Sequence, residues 1–264
     1  MKKPAMIQVK NLRAGYNDDI VLDNISFDVF KGEILGILGG SGCGKSTLLR
    51  HMIGLEIAFS GKILIDGEDI TTCPESKFGN ILKKMGVLFQ GSALIGSMTI
   101  GENVALPITE YSNLPGDAIC DLVKMKLSMV DLAGYENHLP SEISGGMKKR
   151  AGLARALALT PKILFLDEPS AGLDPVTSAD IDELILHINR TTGTTIVIVT
   201  HELNSIFNIA KRVIMLDKNT RGIIADGDPS SLKTHSKNPL VSQFFNRRPS
   251  PGQVMQEEGA HGIR

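Results

Sequence analysis

The sequence predicts an α/β protein: a largely parallel sheet as core, an antiparallel β portion towards the N-terminus, and a helical subdomain inserted into the core. Three observations point there. The first third alternates short β-like runs with turn signals. Two later runs, Ile163 to Leu166 and Thr195 to Val199, are apolar at nearly every position, as strands buried on both faces of a parallel sheet are. Between these regions, from about Gly91 to Thr160, helix signals dominate.

In chain order, Ile7 to Val9, Val21 to Val29 and Ile34 to Leu38 are the early strands, and Thr47 to Ile53 is helix-compatible. Lys62 to Ile65 runs into Asp66-Gly67, a pair that favours a tight hairpin turn because glycine tolerates positive φ. Val176 to Arg190 carries Val176, Ile181, Leu184, Ile185 and Ile188 at roughly three-to-four spacing, the mark of an amphipathic helix. After about Lys237 the pattern decays through Arg247 to Gly252 into a polar end, expected to be extended. The organisation expected is a core of residues 1–90 and 160–236, a helical insertion of 91–159 and a tail of 237–264.

Composition narrows the class. The chain has 264 residues and is 42% hydrophobic, enough to bury a core and too apolar for disorder. Lys plus Arg (28) nearly balances Asp plus Glu (29), which counts against a nucleic-acid binder. The first ten residues hold two lysines but no apolar h-region, so no secretory signal is expected. Apolar runs such as Ile196 to Val199 fall far short of the roughly 20 residues that span a bilayer. Cys43, Cys73 and Cys120 form no CxxC pair. The expectation is a soluble protein of a reducing compartment.

The first chemical motif is Gly39-Gly40-Ser41-Gly42-Cys43-Gly44-Lys45-Ser46, which fits GxxxxGK[ST] between a strand and a helix that opens at Thr47. Glycines let successive backbone N–H groups turn towards one anion, and the helix N-terminus adds partial positive charge. Lys45 would reach β- and γ-phosphates, and the Ser46 hydroxyl would help hold Mg²⁺. The second motif is an apolar strand ending in Asp167-Glu168. Asp167 would complete the Mg²⁺ environment, and Glu168, pointing elsewhere, would polarise an attacking water as general base. A third strand ends in His201, at the edge where open α/β sheets place their ligands.

The deciding segment is Ile143-Ser144-Gly145-Gly146-Met147, followed by Lys148 to Ala156. Ser-Gly-Gly opening a helix makes a second anion site of N–H groups and helix dipole. With it, residues 6 to 235 resemble the nucleotide-binding subunits of ABC transporters, whose signature reads LSGGQ. The resemblance implies a RecA-like P-loop fold, hydrolysis of ATP with Mg²⁺, and a head-to-tail homodimer in which Ser144, Gly145 and Gly146 bind the γ-phosphate held by the opposite subunit. It further implies that Tyr16 stacks on adenine and that Gln90 touches Mg²⁺ and links the site to a membrane partner. Asp174, in the D-loop, would cross the dimer interface, and His201 would contact the γ-phosphate. Lys148, Lys149 and Arg150 read as a solvated helix face.

Met147 in place of glutamine, the stretches Leu88 to Leu94 and Glu102 to Pro107, and the tail Pro239 to Asn246 are similar to one branch, the MlaF-like ATPases of the Mla (Mce-type) lipid-asymmetry transporters. That branch implies phospholipid movement between inner and outer membranes, from the cytoplasmic face of the inner membrane; the alternatives are an ABC importer or exporter ATPase for amino acids, metals or another solute, or a soluble ABC protein of translation or DNA repair. Its partners would be an MlaE-like permease, and an MlaD-like Mce-domain protein and an MlaB-like STAS-domain protein. Two further expectations concern details. Cys43, beside Lys45 and at a helix N-terminus, should have a lowered thiol pKa and react with thiol reagents. Leu240, Val241, Phe244 and Phe245 make an apolar helix face that should dock on the partner ATPase.

Overall fold

The computed structural model describes residues 4–17 and 19–246. Two sheets form its frame. β1 (Ala5–Tyr16), β2 (Asp19–Phe30), β4 (Ser60–Ile65) and β5 (Glu68–Asp69) make an antiparallel sheet in the order β2-β1-β4-β5. Asp66 (φ 50°) and Gly67 (φ 82°) form the expected two-residue turn between β4 and β5. The second sheet runs β10 (Gly222–Gly227), β9 (Arg212–Asp217), β3 (Ile34–Gly39), β8 (Thr195–Val199), β7 (Ile163–Asp167), β6 (Met85–Leu88). It is parallel from β9 to β6, and only β10 is antiparallel.

Alternation along the parallel strands explains their continuous apolar sequence. Ile163, Phe165, Val197 and Val199 join a core with the antiparallel sheet and α1 (Lys45–Met52). Their neighbours Leu164, Leu166, Ile196 and Ile198 join a second core on the opposite face. That face is covered by α3 (Ile100–Tyr111), α4 (Gly116–Ser128), α5 (Gly145–Ala156) and α6 (Pro175–Thr192). A strand with both faces covered has no polar side to show.

Residues of the insertion are helical, as expected. Thr99 and Glu102 close a capping box at the start of α3, Thr99 Oγ1 accepting the Glu102 N–H (3.1 Å) and Glu102 Oε2 accepting the Thr99 N–H (2.7 Å). In α6 the stripe Ile181, Leu184, Ile185 and Ile188 is buried, but Val176 is 72% exposed. Five residues before Ile181, it lies about 140° around the helix and falls off the stripe.

The C-terminal stretch divides its apolar face between core and surface. After α7 (Leu203–Ile209) and α8 (Pro229–His235), residues Pro239–Phe245 form α9. Val241 and Phe245 are fully buried with Leu38, Leu203, Ile206 and Val213 of the same chain, and the Phe207 and Phe245 rings lie 5.9 Å apart. Half of the apolar face, Val241 and Phe245, is therefore covered by the chain's own core, whereas Leu240 stays 42% exposed. The stretch Arg247 to Gly252 lies outside the described residues. Among the described residues no helix is long and apolar enough to cross a membrane.

Candidate active site

Because β3, β7 and β8 are parallel and adjacent, their C-terminal ends share one sheet edge. Asp167 registers with Val199, and Val199 with Ile37, so the loop after β3, the acids after Leu166 and the His201 segment leave the sheet side by side. Open α/β sheets place ligands at this edge.

The loop's shape depends on two glycines. Gly39 has φ 146°, and a Cβ there would lie 2.5 Å from the Leu216 carbonyl oxygen. Gly44 has φ 100°, and its Cβ would meet Leu22 Cδ2 at 2.7 Å. Gly40, Ser41, Gly42 and Ser46 are exposed, whereas Thr47 is buried in the first turn of α1. No side chain caps that helix, so its first N–H groups suit an anion. Lys45 Nζ donates to the carbonyls of Gly39 (2.8 Å) and Gly40 (3.1 Å), which holds the ammonium within the loop.

Cys43 departs from expectation. It is buried beneath the loop, its Sγ 3.9 Å from Lys45 Nζ. Burial pushes the thiol pKa up and outweighs the lysine charge that should lower it. The neighbouring cation was legible in sequence; the enclosure was not.

At the end of β7, burial raises the Asp167 pKa, as does the adjacent Glu168, while Arg50, Lys149 and Lys45 oppose both. A carboxylate so placed favours a cation beside it. Ser46, Asp167 and Gln90 supply oxygen donors, a set that fits Mg²⁺ retaining phosphate and water ligands. Glu168 is buried in the left-handed region (φ 49°), a costly backbone for a non-glycine residue. Its N–H donates to the Val199 carbonyl (2.8 Å). Its carboxylate accepts from Thr200 Oγ1 (3.0 Å) and His201 Nδ1 (2.7 Å).

Lys149 is not solvated. It is 6% exposed, and its ammonium donates to the Gln90 and Glu168 carbonyls, the latter at 3.0 Å. The signal for this was its helical spacing: Lys149 shares a stripe with Gly152, Leu153 and Ala156, all buried. Arg150 instead pairs with Asp131 (2.5 Å) at the surface. Sequence reasoning also passed over Arg50, whose guanidinium reaches the Tyr16 hydroxyl (3.4 Å), and Thr200.

Other expected residues stand apart. Ser144 caps α5, its hydroxyl accepting the Met147 N–H (3.3 Å), and with Gly145 it is exposed. Gly146 is buried: a Cβ there would sit 2.7 Å from Thr177 Cγ2. α5 packs on β6, α3, α4 and α6. The Asp174 carboxylate caps α6, accepting from the Val176 and Thr177 N–H groups (3.0 and 3.1 Å), and the Thr177 hydroxyl holds its pKa below the usual range.

Comparison with known proteins agrees with this geometry. Residues 22–171 match the family model described as ABC transporter. The chain is 42% identical over 242 residues to the probable ribonucleotide transport ATP-binding protein Mkl of Mycobacterium leprae, covering 92% of this chain and 69% of that protein. It is 39% identical over 243 residues to the intermembrane phospholipid transport system ATP-binding protein MlaF of Escherichia coli, covering 91% and 88%. The solved dimeric post-hydrolysis state of the ATP-binding cassette MJ0796 bound to ADP and Pi superposes with a TM-score of 0.76 at 30% identity, covering 84% of this chain and 98% of that one.

Proposed function

This chain belongs to the ABC transporter family as an ATP-hydrolysing, Mg²⁺-using subunit, and from that premise we propose that it powers phospholipid movement between two membranes. It does so as a homodimer at the cytoplasmic face of an inner membrane. The likeness to MlaF across 91% of the chain carries the lipid reading. The 42% identity to Mkl favours a second reading, transport of a ribonucleotide or other solute on the same chemistry.

Lys45 exchanges the Gly39 and Gly40 carbonyls for β- and γ-phosphate oxygens, and Ser46, Asp167 and Gln90 would hold Mg²⁺, which would neutralise phosphate charge. Tyr16 stacks on adenine. Glu168 takes a proton from water as that water's oxygen attacks the γ-phosphorus and the bond to the ADP oxygen breaks. His201 contacts the γ-phosphate. Ser144, Gly145 and Gly146 of the second copy close on the same phosphate, with Asp174 in the loop at the interface. Loss of the γ-phosphate removes what joins the halves, and opening follows.

A permease of the MlaE-like kind would seat in the apolar groove lined by Val87, Phe89, Leu106, Pro107 and Tyr111, beside Gln90. An MlaD-like Mce-domain protein and an MlaB-like STAS-domain protein complete the assembly; nucleic acid has no part in it. The test is reconstitution with an MlaE-like permease in lipid vesicles, with labelled phospholipid and labelled ribonucleotide offered in parallel. ATP-dependent phospholipid transfer is expected. Ribonucleotide transfer without lipid transfer would replace the lipid reading with the second one.

A further inference from the structure

Lys149 gathers three parts of the site that are far apart in sequence. Its ammonium holds the carbonyl of Gln90, 59 residues away, and that of Glu168, 19 residues away. Among the described residues no carboxylate forms an ion pair with it. Burial lowers its pKa while the charges of Glu168 and Asp167 pull it back up.

The same face of α5 grips the rest of the Gln90 loop. Arg155 donates to the carbonyls of Ser92 (2.9 Å) and Ala93 (2.7 Å). Between the two cations, Gly152 leaves the loop room: a Cβ there would lie 2.7 Å from Leu88 Cδ1 and 3.2 Å from the Ser92 carbonyl oxygen. Ser92 (φ 61°) and Ala93 (φ 49°) hold left-handed backbone, as does Glu168. Strained backbone persists only where its surroundings over-determine it, and here the shared surroundings are the cationic face of one helix.

We infer that Lys149 is a positioning residue for hydrolysis: by fixing the Gln90 and Glu168 carbonyls to the signature helix, it sets the direction of the Glu168 carboxylate and ties it to movement of the Gln90 loop. The inference deepens the reading of Glu168 as general base and rests on it. A charged group buried against two backbone acceptors positions more firmly than a neutral one, because each bond is charge-assisted and the surroundings are dry.

Lys149→Met keeps the apolar stem and removes the donors; Lys149→Gln keeps an amide donor of shorter reach. In the full-length chain, Lys149→Met should lower kcat by at least about tenfold, the loss of one charge-assisted hydrogen bond's worth of positioning. The Kd for ATP should change less than about twofold. Lys149→Gln should fall between Met and wild type, and it carries the test alone if Lys149→Met does not fold. In a Glu168→Gln background, Lys149→Met should cause no further loss, since it acts through that residue. Wild-type kcat in both variants, an equal loss of ATP binding, or a multiplicative loss in the Glu168→Gln background would overturn the inference. Wild-type turnover by Glu168→Gln alone would instead remove the base reading on which it stands.

Discussion

His201 Nδ1 lies 2.7 Å from Glu168 Oε1, while Thr200 Oγ1 holds the other carboxylate oxygen at 3.0 Å. An ionised carboxylate only accepts, so the imidazole proton sits on Nδ1 and leaves Nε2 for another partner. The His201 side chain is 60% exposed and free to turn. Each carboxylate oxygen keeps a second lone pair that can accept a proton from water, and rotation of His201 towards a γ-phosphate would free Oε1 further. His201→Ala should therefore lower single-turnover hydrolysis by roughly 10²-fold with little change in ATP affinity. A wild-type rate would deny His201 the switching role.

The signature should work in trans. Gly146 is a poor probe because any side chain there meets Thr177 within its own subunit. Ser144 is exposed and bonds only locally, so Ser144→Arg should cost no more than the helix cap, about 1 kcal/mol. A purified heterodimer of one Lys45→Ala chain and one Ser144→Arg chain places both defects on one composite site and leaves the other intact. It should hydrolyse ATP at up to about half the wild-type rate, whereas each mutant homodimer is dead. A heterodimer as inactive as its parents would mean either that the signature works in cis or that the two sites fire only together.

α9 should stabilise the monomer. Phe245 is 2% exposed, packed on Phe207 and Val241 of its own chain. Phe245→Ala should cost about 3 kcal/mol, the usual result of emptying a buried phenylalanine site. Denaturant unfolding at several protein concentrations separates cis from trans docking. A loss that shrinks on dilution would return the helix to the partner.

Cys43 should resist thiol reagents. Its pKa is pushed up by burial, so the reactive thiolate is scarcer than at the ordinary value of 9.0. N-ethylmaleimide should label exposed Cys120 first, and Cys120→Ser should remove that rapid phase without touching the ATPase. Rapid inhibition that disappears in Cys43→Ser would mean that the loop opens far enough to expose it.

How much of this was legible in sequence follows from range. The phosphate loop and the strand-end acids are written within a few consecutive residues, because a tight turn and a buried strand each dictate their own local pattern. The two-sided burial of β7 and β8 was equally plain. β5, α2 (Glu75–Leu82), α7 and α8 were not singled out; each is short, and packing rather than periodicity defines it. Lys149 was misread because its partners lie 59 and 19 residues away, and a basic triplet resembles any wet helix face. The apolar face of α9 announces that it docks, but no local pattern says on which copy.

Glu168→Gln is the most direct test of the whole mechanism, since the substitution keeps the shape and the Thr200 and His201 neighbours while removing the proton acceptor. ATP binding and hydrolysis should be measured on the same purified preparation, with the oligomeric state followed by light scattering. The expected result is unchanged ATP affinity, hydrolysis lower by about 10²–10⁴-fold, and an ATP-dependent dimer that persists. Turnover at the wild-type rate, or loss of binding in step with turnover, would contradict Glu168 as the base.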